Sequence, residues 1–171
     1  MIFVTVGSDV PFSRLVRQAD GWSRDHPGET VFAQVGRLGP ADHVPEAMQW
    51  TEMMPADRFD RTCAEARLIV AHAGMGSIIS ALAAGKPIVI LPRRDALRET
   101  RNDHQCATAE RFAHRSGVSV AQTEDELPGV IDEALARSGT APVQVLQQFA
   151  PAEFTERLRA FILGDHHPSD D

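Results

Sequence analysis

The feature that most constrains the fold is an alternation of short, apolar, β-rich runs with segments of helical periodicity. This alternation is typical of successive βαβ units, whose strands lie parallel in one sheet. We therefore predict a single doubly wound α/β domain. The predicted strands are Ile2–Val6, Val31–Val35, Met48–Met53, Leu68–Ala71, Ile88–Leu91 and Val118–Val120, and the predicted helices are a segment through Phe12–Ala19, Asp57–Ala66, Ile78–Ala84, Asn102–Arg115, Glu124–Arg137 and Glu153–Leu163.

Length and charge narrow the class of protein. The 171 residues suffice for about one domain, which we assign to residues 1–164, with a polar tail at 165–171 that we expect to be disordered. A formal net charge of −7 argues against nucleic-acid binding, which needs clustered Lys and Arg. No apolar run approaches the ~18 residues of a membrane span, and the opening segment lacks the basic region of a signal peptide. We expect a cytoplasmic protein.

Local signals add three finer predictions. Cys63 and Cys106 show no paired spacing, which favours free thiols over one long-range disulfide. Thr123 is a candidate N-cap, because Glu126 follows at the capping-box spacing. The helical spacing of four apolar residues near the C-terminus predicts core positions: Val130, Ile131, Ala134 and Leu135.

The segment from His72 to Ser77 is the strongest candidate for a binding loop. Gly74 and Gly76 follow a predicted strand and open a predicted helix, where backbone N–H groups and the helix dipole suit an anion. Gly74 lacks the side chain at a point of close ligand approach, and Ser77 adds a hydroxyl. This chemistry fits a diphosphate held without a metal. The alternative is a tight strand-to-helix turn beside a half-buried His72.

Several motifs occur in colinear order over residues 1–121: Ile2–Ser8, His72–Ser77, Ala83–Pro87, Leu91-Pro92, Arg93-Arg94 and Arg101–Gln105. Together they resemble the C-terminal domain of glycosyltransferase family 28. The opening strand with Gly7-Ser8 and Pro11-Phe12 further resembles the stand-alone donor-binding subunits of two-part UDP-sugar transferases. The segments around Arg93 and Asn102 are similar to those of the bacterial exopolysaccharide type.

The resemblance implies a Rossmann-like domain, the donor-binding half of a GT-B glycosyltransferase, and it implies roles for individual residues. Donor diphosphate contacts carry over to Gly74, Met75, Gly76 and Ser77. Sugar and ribose contacts carry over to Asn102, His104 and Gln105, for which the alternative is an ordinary helix N-terminus with Asn102 as N-cap. Two positions depart from the family: Ser80 replaces an acidic ribose ligand, and His104 replaces an Asp, which leaves the sugar open.

Further cleft candidates follow the ends of other predicted strands. Gly7 and Ser8 follow the first strand, and Asp9 is a weak candidate for the catalytic base, against the commoner role of an Asp in a turn. Arg93 is a candidate for pairing with a phosphate or a uronic acid. Its alternative is a solvated loop with Asp95 and Glu99 as counter-charges. The spacing of the remaining histidines suggests no metal site: His26, His43, His114, His166 and His167.

A transferase of this type needs two facing domains, and this chain has room for one. The resemblance implies an inverting, metal-independent hexosyltransferase that requires no cofactor and is active only with a partner. That partner is membrane-associated, presents a lipid-linked glycan acceptor and holds the chain at the inner membrane in exopolysaccharide synthesis. The segment Pro151–Leu163 is a candidate docking helix, with packing on its own domain as the alternative.

Two other functions remain open at this stage. A non-catalytic accessory subunit that enhances a partner transferase has the same fold, and it is favoured if no nucleotide sugar binds. A Rossmann-type nucleotide-binding or epimerase-like enzyme is expected to carry a fuller cofactor fingerprint or tyrosine chemistry, and the chain contains no Tyr.

Overall fold

Six parallel strands form one sheet whose two faces are covered by helices. The structure is a computed structural model and describes residues 1–7, 10–139, 143–146 and 150–164. The strands are β1 (Ile2–Thr5), β2 (Val31–Gln34), β3 (Gln49–Thr51), β4 (Leu68–His72), β5 (Ile88–Leu91) and β6 (Val118–Val120). The helices are α1 (Ser13–Asp25), α2 (Ala56–Glu65), α3 (Met75–Ala83), α4 (His104–Phe112), α5 (Leu127–Arg137) and α6 (Ala152–Leu163), with a short 3-10 helix at Asp95–Leu97.

The strand order places a binding crevice in the middle of the sheet. The order is β3-β2-β1-β4-β5-β6, with all neighbouring pairs parallel. The chain starts in the middle of the sheet, builds one edge through β2 and β3, and returns to the middle at β4. Because the order reverses between β1 and β4, this is the switch point at which open α/β sheets bind ligands. The predicted doubly wound fold is confirmed.

Successive residues of each central strand pack into two different cores. In β1, Ile2 and Val4 join the core formed with α1 and α5, whereas Phe3 joins the core formed with α2, α3 and α4. This division follows from the strand period of two, and it explains why strands buried on both faces are continuously apolar. The predicted core residues of α5 are confirmed: Ile131 and Ala134 are buried, and Val130 and Leu135 pack against them. Cys63 and Cys106 are free thiols, as predicted.

Three predicted helix starts are wrong. Helix α3 begins at Met75, three residues earlier than the predicted Ile78. Helix α5 begins at Leu127, three residues later than predicted, because a turn with a Leu127 N–H to Glu124 carbonyl bond of 3.1 Å precedes it. Its N-cap is therefore Glu126 and not Thr123, and the Glu126 carboxylate accepts a bond from the Gln122 N–H instead. Helix α4 begins at His104, so Asp103 stands at the N-cap in place of Asn102.

Helix α6 exposes its apolar side chains, so the alternative that it packs on its own domain is wrong. Among the residues predicted to form its stripe, Phe154 is 59% exposed, Leu158 is 47% exposed and Ile162 is 71% exposed. Within the described part of the chain, no helix has the length and apolar character needed to cross a membrane. The predicted tail at 165–171 lies outside the described residues.

Candidate functional site

A cleft of about 1150 Å³ opens at the carboxyl ends of the central strands. The loops after Val6, Ala71 and Leu91 all contribute to it. Of the predicted site residues, Met75 is absent from the lining, and Ser8 and Asp9 lie outside the described residues. The predicted residues brought together in the lining are Gly7, His72, Gly74, Gly76, Ser77, Arg93, Asn102, His104 and Gln105.

The first turn of α3 presents backbone donors at the middle of the cleft. Its first helical bond runs from the Ile78 N–H to the Gly74 carbonyl (3.2 Å), so the N–H groups of Met75, Gly76 and Ser77 precede the helical ladder. A Cβ placed on Gly76 meets no atom within 4 Å. Glycine is therefore not required there by packing against the residues that the structure describes. Since it weakens a helix, its presence favours a ligand that approaches the backbone closely.

The other two glycines of the cleft make room for the His72 ring. A Cβ on Gly74 overlaps His72 Nε2, and a Cβ on Gly7 lies 2.7 Å from His72 Cε1. Gly7 also has a φ of +83°, which favours glycine. Gly74 is thus required by its packing against His72, whereas Gly76 has no such contact among the described residues; close approach of a ligand to Gly74 stays a prediction.

His72 is held in its neutral form at the base of the cleft. Burial lowers the pKa of its imidazole to about 4, and the Arg93 guanidinium contributes in the same direction. Its Nδ1 lies 3.5 Å from the Ser77 hydroxyl. A neutral ring can accept or donate a bond to that hydroxyl, so His72 orients Ser77 without adding a charge.

One side of the cleft, which we call the arginine wall, is formed by residues 93–105. Its first residue, Arg93, is only 4% exposed and donates hydrogen bonds to the carbonyls of Val6 (3.1 Å), Val10 (2.7 Å) and Pro11 (2.9 Å). Its guanidinium also lies 4.4 Å from the centroid of the Phe12 ring. The solvated-loop interpretation of Arg93 is therefore wrong. Arg93 fixes the segment that follows β1 against the segment that follows β5.

A second arginine anchors the middle of this wall from outside. Arg14 on α1 binds both carboxylate oxygens of Glu99 at 2.8 Å, the Glu124 carboxylate at 2.9 Å and the Pro92 carbonyl at 2.8 Å. Glu99 also accepts the Arg94 N–H at 3.0 Å. Glu99 is thus the partner of Arg14 and not the predicted counter-charge of Arg93.

Arg98 and Arg101 lie on either side of Glu99 in the sequence, and both side chains line the cleft. Neither the Arg98 nor the Arg101 guanidinium makes a hydrogen bond or ion pair to any residue that the structure describes. Arg98 has a φ of +56°, the one positive value at a non-glycine position in the described ranges. This left-handed conformation is common at helix C-termini, and Arg98 caps the 3-10 helix with its N–H bonded to the Asp95 carbonyl at 2.7 Å.

The predicted sugar-binding residues lie at the far end of the arginine wall. Gln105 is buried, and its Oε1 accepts the Arg93 N–H at 3.1 Å, so its Nε2 is the group left to donate. Asn102 Oδ1 accepts the His104 N–H at 3.1 Å and also contacts His104 Nδ1. Both Asn102 and His104 are exposed to the cleft.

The opposite side of the cleft, which we call the methionine wall, was missed by sequence reasoning. It consists of Met53, Met54, Phe59 and Asp60, next to Gln34 at the end of β2. Gln34 is buried and donates to the Gly7 carbonyl at 3.2 Å, while its Oε1 has no partner within the described residues. The signal that finds this wall is the parallel-sheet rule itself, since the ends of β2 and β3 face the same crevice.

The remaining histidines lie apart from the cleft or outside the described residues. His43 contacts the buried Asp20 carboxylate at 3.0 Å. The same carboxylate accepts hydrogen bonds from the Glu46 and Ala47 N–H groups and so fixes a surface loop. Within the described ranges, no three His, Cys, Asp or Glu side chains converge as metal ligands do.

Comparison with solved structures shows the same fold in several proteins. ALG13, solved in solution, is 21% identical with a TM-score of 0.54, over 92% of this chain and 93% of that one. CalG4, the calicheamicin glycosyltransferase, is 23% identical with a TM-score of 0.57, over 92% of this chain and 36% of that one. A putative UDP-N-acetylglucosamine 2-epimerase from Listeria monocytogenes is 12% identical with a TM-score of 0.64, over 99% and 47%. This chain therefore spans less than half the length of the last two proteins.

Sequence comparison identifies the family. No curated protein sequence matches the chain. The glycosyltransferase family 28 C-terminal domain, in contrast, matches residues 1–158, which include every described strand, the cleft and both of its walls. The chain, with its six-stranded parallel sheet of the GT-B type, therefore belongs to glycosyltransferase family 28, whose C-terminal domain it represents.

Proposed function

We propose that this chain is the donor-binding subunit of a UDP-sugar-dependent glycosyltransferase. The observation that carries the proposal is the first turn of α3, where the N–H groups of Met75, Gly76 and Ser77 precede the helical ladder and where Gly76 and Ser77 line a large cleft. A helix N-terminus in this setting suits a diphosphate. The family match supports transfer of a sugar, and the similarity to a putative UDP-N-acetylglucosamine 2-epimerase supports a UDP-sugar as the ligand class.

The cleft supplies positive potential for the diphosphate from two sources. The dipole of α3 and its free amides act at the centre, and Arg98 and Arg101 act from the arginine wall. As the bond to the sugar breaks, negative charge grows on the departing UDP. Donors already pointing at that position stabilise the charge without reorganisation. In this proposal the transfer inverts the sugar and needs neither a metal nor a cofactor.

The sugar of the donor is proposed to contact the far end of the arginine wall. The Nε2 of Gln105 is positioned by the bond of its Oε1 to Arg93, and Asn102 positions His104. Amide and imidazole groups both donate and accept bonds, as recognition of sugar hydroxyls requires. The base that deprotonates the acceptor is assigned to no described residue, and the weak candidate Asp9 stays a prediction.

The acceptor-binding half is proposed to be a separate, membrane-associated chain that presents a lipid-linked glycan in exopolysaccharide synthesis. The exposed apolar side chains of α6, among them Phe154, Leu158 and Ile162, support α6 as the docking element for this partner. The full-length similarity to ALG13, against partial coverage of CalG4, supports a stand-alone donor domain. The complex then lies on the cytoplasmic side of the inner membrane.

Calorimetric titration with UDP, UDP-glucose, UDP-galactose, UDP-glucuronate and UDP-N-acetylglucosamine, without added metal, tests the proposal. We expect saturable binding that Gly76→Val reduces at least tenfold, because the valine side chain occupies the space left for the ligand. Gly129→Val is the matched control, since Gly129 is also a helical glycine whose added Cβ meets no atom within 4 Å, but it lies on α5 away from the cleft. It is expected to bind normally.

The alternative function is a non-catalytic accessory subunit that enhances a partner transferase. Two observations favour it. The Oε1 of Gln105 is bonded to the Arg93 N–H and not directed toward a ligand. Ser80 stands where relatives carry an acidic residue. If no nucleotide binds, either to the chain alone or with its partner present, or if Gly76→Val and Gly129→Val behave alike, the donor-site proposal is wrong and the accessory function takes its place.

A further inference from the structure

Among the residues that the structure describes, two acidic residues line the cleft, and they differ in their hydrogen-bonding partners. Glu99 is held by Arg14 and the Arg94 N–H. Asp60 is exposed on α2 and makes no hydrogen bond or ion pair to a described residue. An acceptor group without a partner, in a cleft suited to a polyanion, calls for a ligand group that donates hydrogen bonds.

The position of Asp60 identifies which part of a nucleotide it faces. Asp60 belongs to the methionine wall, on the side of β2 and β3, whereas Arg98 and Arg101 lie on the side of β5. Helix α2 packs against α3, and Ser80, one turn beyond Ser77, lines the same cleft. With the diphosphate at the first turn of α3 and the sugar along the arginine wall, the nucleoside extends toward the methionine wall.

A ribose carries two adjacent hydroxyl groups, each of which can donate a hydrogen bond. A carboxylate accepts two such bonds at once, whereas arginine side chains only donate, and a single hydroxyl such as that of Ser80 accepts more weakly. We propose that Asp60 binds the 2′- and 3′-hydroxyls of the nucleotide and so selects ribonucleotides. This inference rests on the proposed donor function, and it assigns ribose recognition to α2 instead of α3.

The charge of Asp60 makes the inference sharply testable. If Asp60 acts only through its charge, it repels the diphosphate, and Asp60→Asn then tightens UDP binding. If it holds the ribose, Asp60→Asn weakens UDP binding despite the lost repulsion, because bonds to a charged acceptor are the stronger ones. The two interpretations predict changes of opposite sign.

The experiment measures the dissociation constants of UDP, 2′-deoxy-UDP and 3′-deoxy-UDP by calorimetry for three proteins. We expect the wild type to prefer UDP over either deoxy analogue by about tenfold, and Asp60→Asn to lose both this preference and about tenfold in UDP affinity. Asp57→Asn is the matched control, because Asp57 lies on the same helix but pairs with Arg61 outside the cleft. It is expected to behave as the wild type.

The outcomes separate this inference from the function on which it rests. If UDP binds and Gly76→Val weakens it, but Asp60→Asn keeps the full preference for ribose or binds UDP more tightly, the role of Asp60 is overturned and the donor function stands. If the wild type binds no UDP at all, both are overturned. Unchanged thermal unfolding of Asp60→Asn shows that a loss of affinity is local.

Discussion

The two walls of the cleft are built in contrasting ways. The arginine wall is held by polar side chains from distant parts of the chain: Arg93 binds three carbonyls, and Arg14 clamps Glu99. The methionine wall has few such bonds and presents the flexible side chains of Met53 and Met54. A fixed cationic wall suits an anion that must be placed accurately, and thioether side chains adapt to a flat apolar surface. For the proposed UDP-sugar donor, the contrast predicts that the diphosphate and sugar are positioned rigidly, whereas the uracil ring is held by side chains that can adapt to it.

Removing the anchor of the arginine wall is expected to have the largest effect. Arg14→Met leaves the half-buried Glu99 carboxylate without its cation, so the free energy of unfolding should fall by about 3 kcal/mol. The control is Arg61→Met on α2, whose ion pair with Asp57 is about 70% exposed on both sides and should contribute less than about 0.5 kcal/mol. Urea denaturation measures both variants. Equal losses would show that the arginine wall is not held by this clamp.

Whether a part of the site can be predicted from the sequence depends on how far apart in the chain its interacting residues lie. The glycine loop could be predicted because its strand, its glycines and its helix are adjacent in the chain. The role of Arg93 could not, because the carbonyls that it binds lie 82 to 87 residues away and carry no side-chain signature. Sequence reasoning offered a ligand or solvent as its partner, and the actual partner is the backbone.

The methionine wall illustrates a different limit. Met53, Met54, Phe59 and Asp60 form no motif, and only the order of the strands brings them opposite the arginine wall. The fold itself was predictable because six apolar runs and their helices are each a local pattern. The helix starts were less predictable, because the turn before Leu127 depends on one backbone hydrogen bond that competes with the capping box at Thr123.

His72, between the two walls, should make stability depend on pH. Its folded pKa of about 4 lies below the ordinary value of 6.5, so as pH falls the unfolded chain takes up a proton first. The contribution of neutral His72 is thus fully present above pH 6.5 and is progressively lost toward pH 4, by about 2 kcal/mol between pH 6.5 and 5.

Urea denaturation at several pH values measures this dependence as a difference between variants. His72→Asn removes the titrating group, so its free energy of unfolding should fall less steeply than that of the wild type over this range. The exposed His114, outside the cleft, provides the control: His114→Asn should keep the wild-type slope. If His72→Asn also keeps it, the imidazole is not held neutral by its burial between the walls.

The smallest effect is expected on the methionine wall, and it tests the adaptability assigned to that wall. Met53 is 40% exposed at the cleft, so Met53→Ala should change the free energy of unfolding by less than about 0.5 kcal/mol. If the uracil ring of UDP packs against Met53 as proposed, the loss of that contact should weaken UDP binding by about threefold. Val44→Ala removes a similarly exposed apolar side chain outside the cleft and should leave binding unchanged. A loss of a hundredfold or more for Met53→Ala would mean that this wall also positions its ligand rigidly, and the contrast between the walls would not hold.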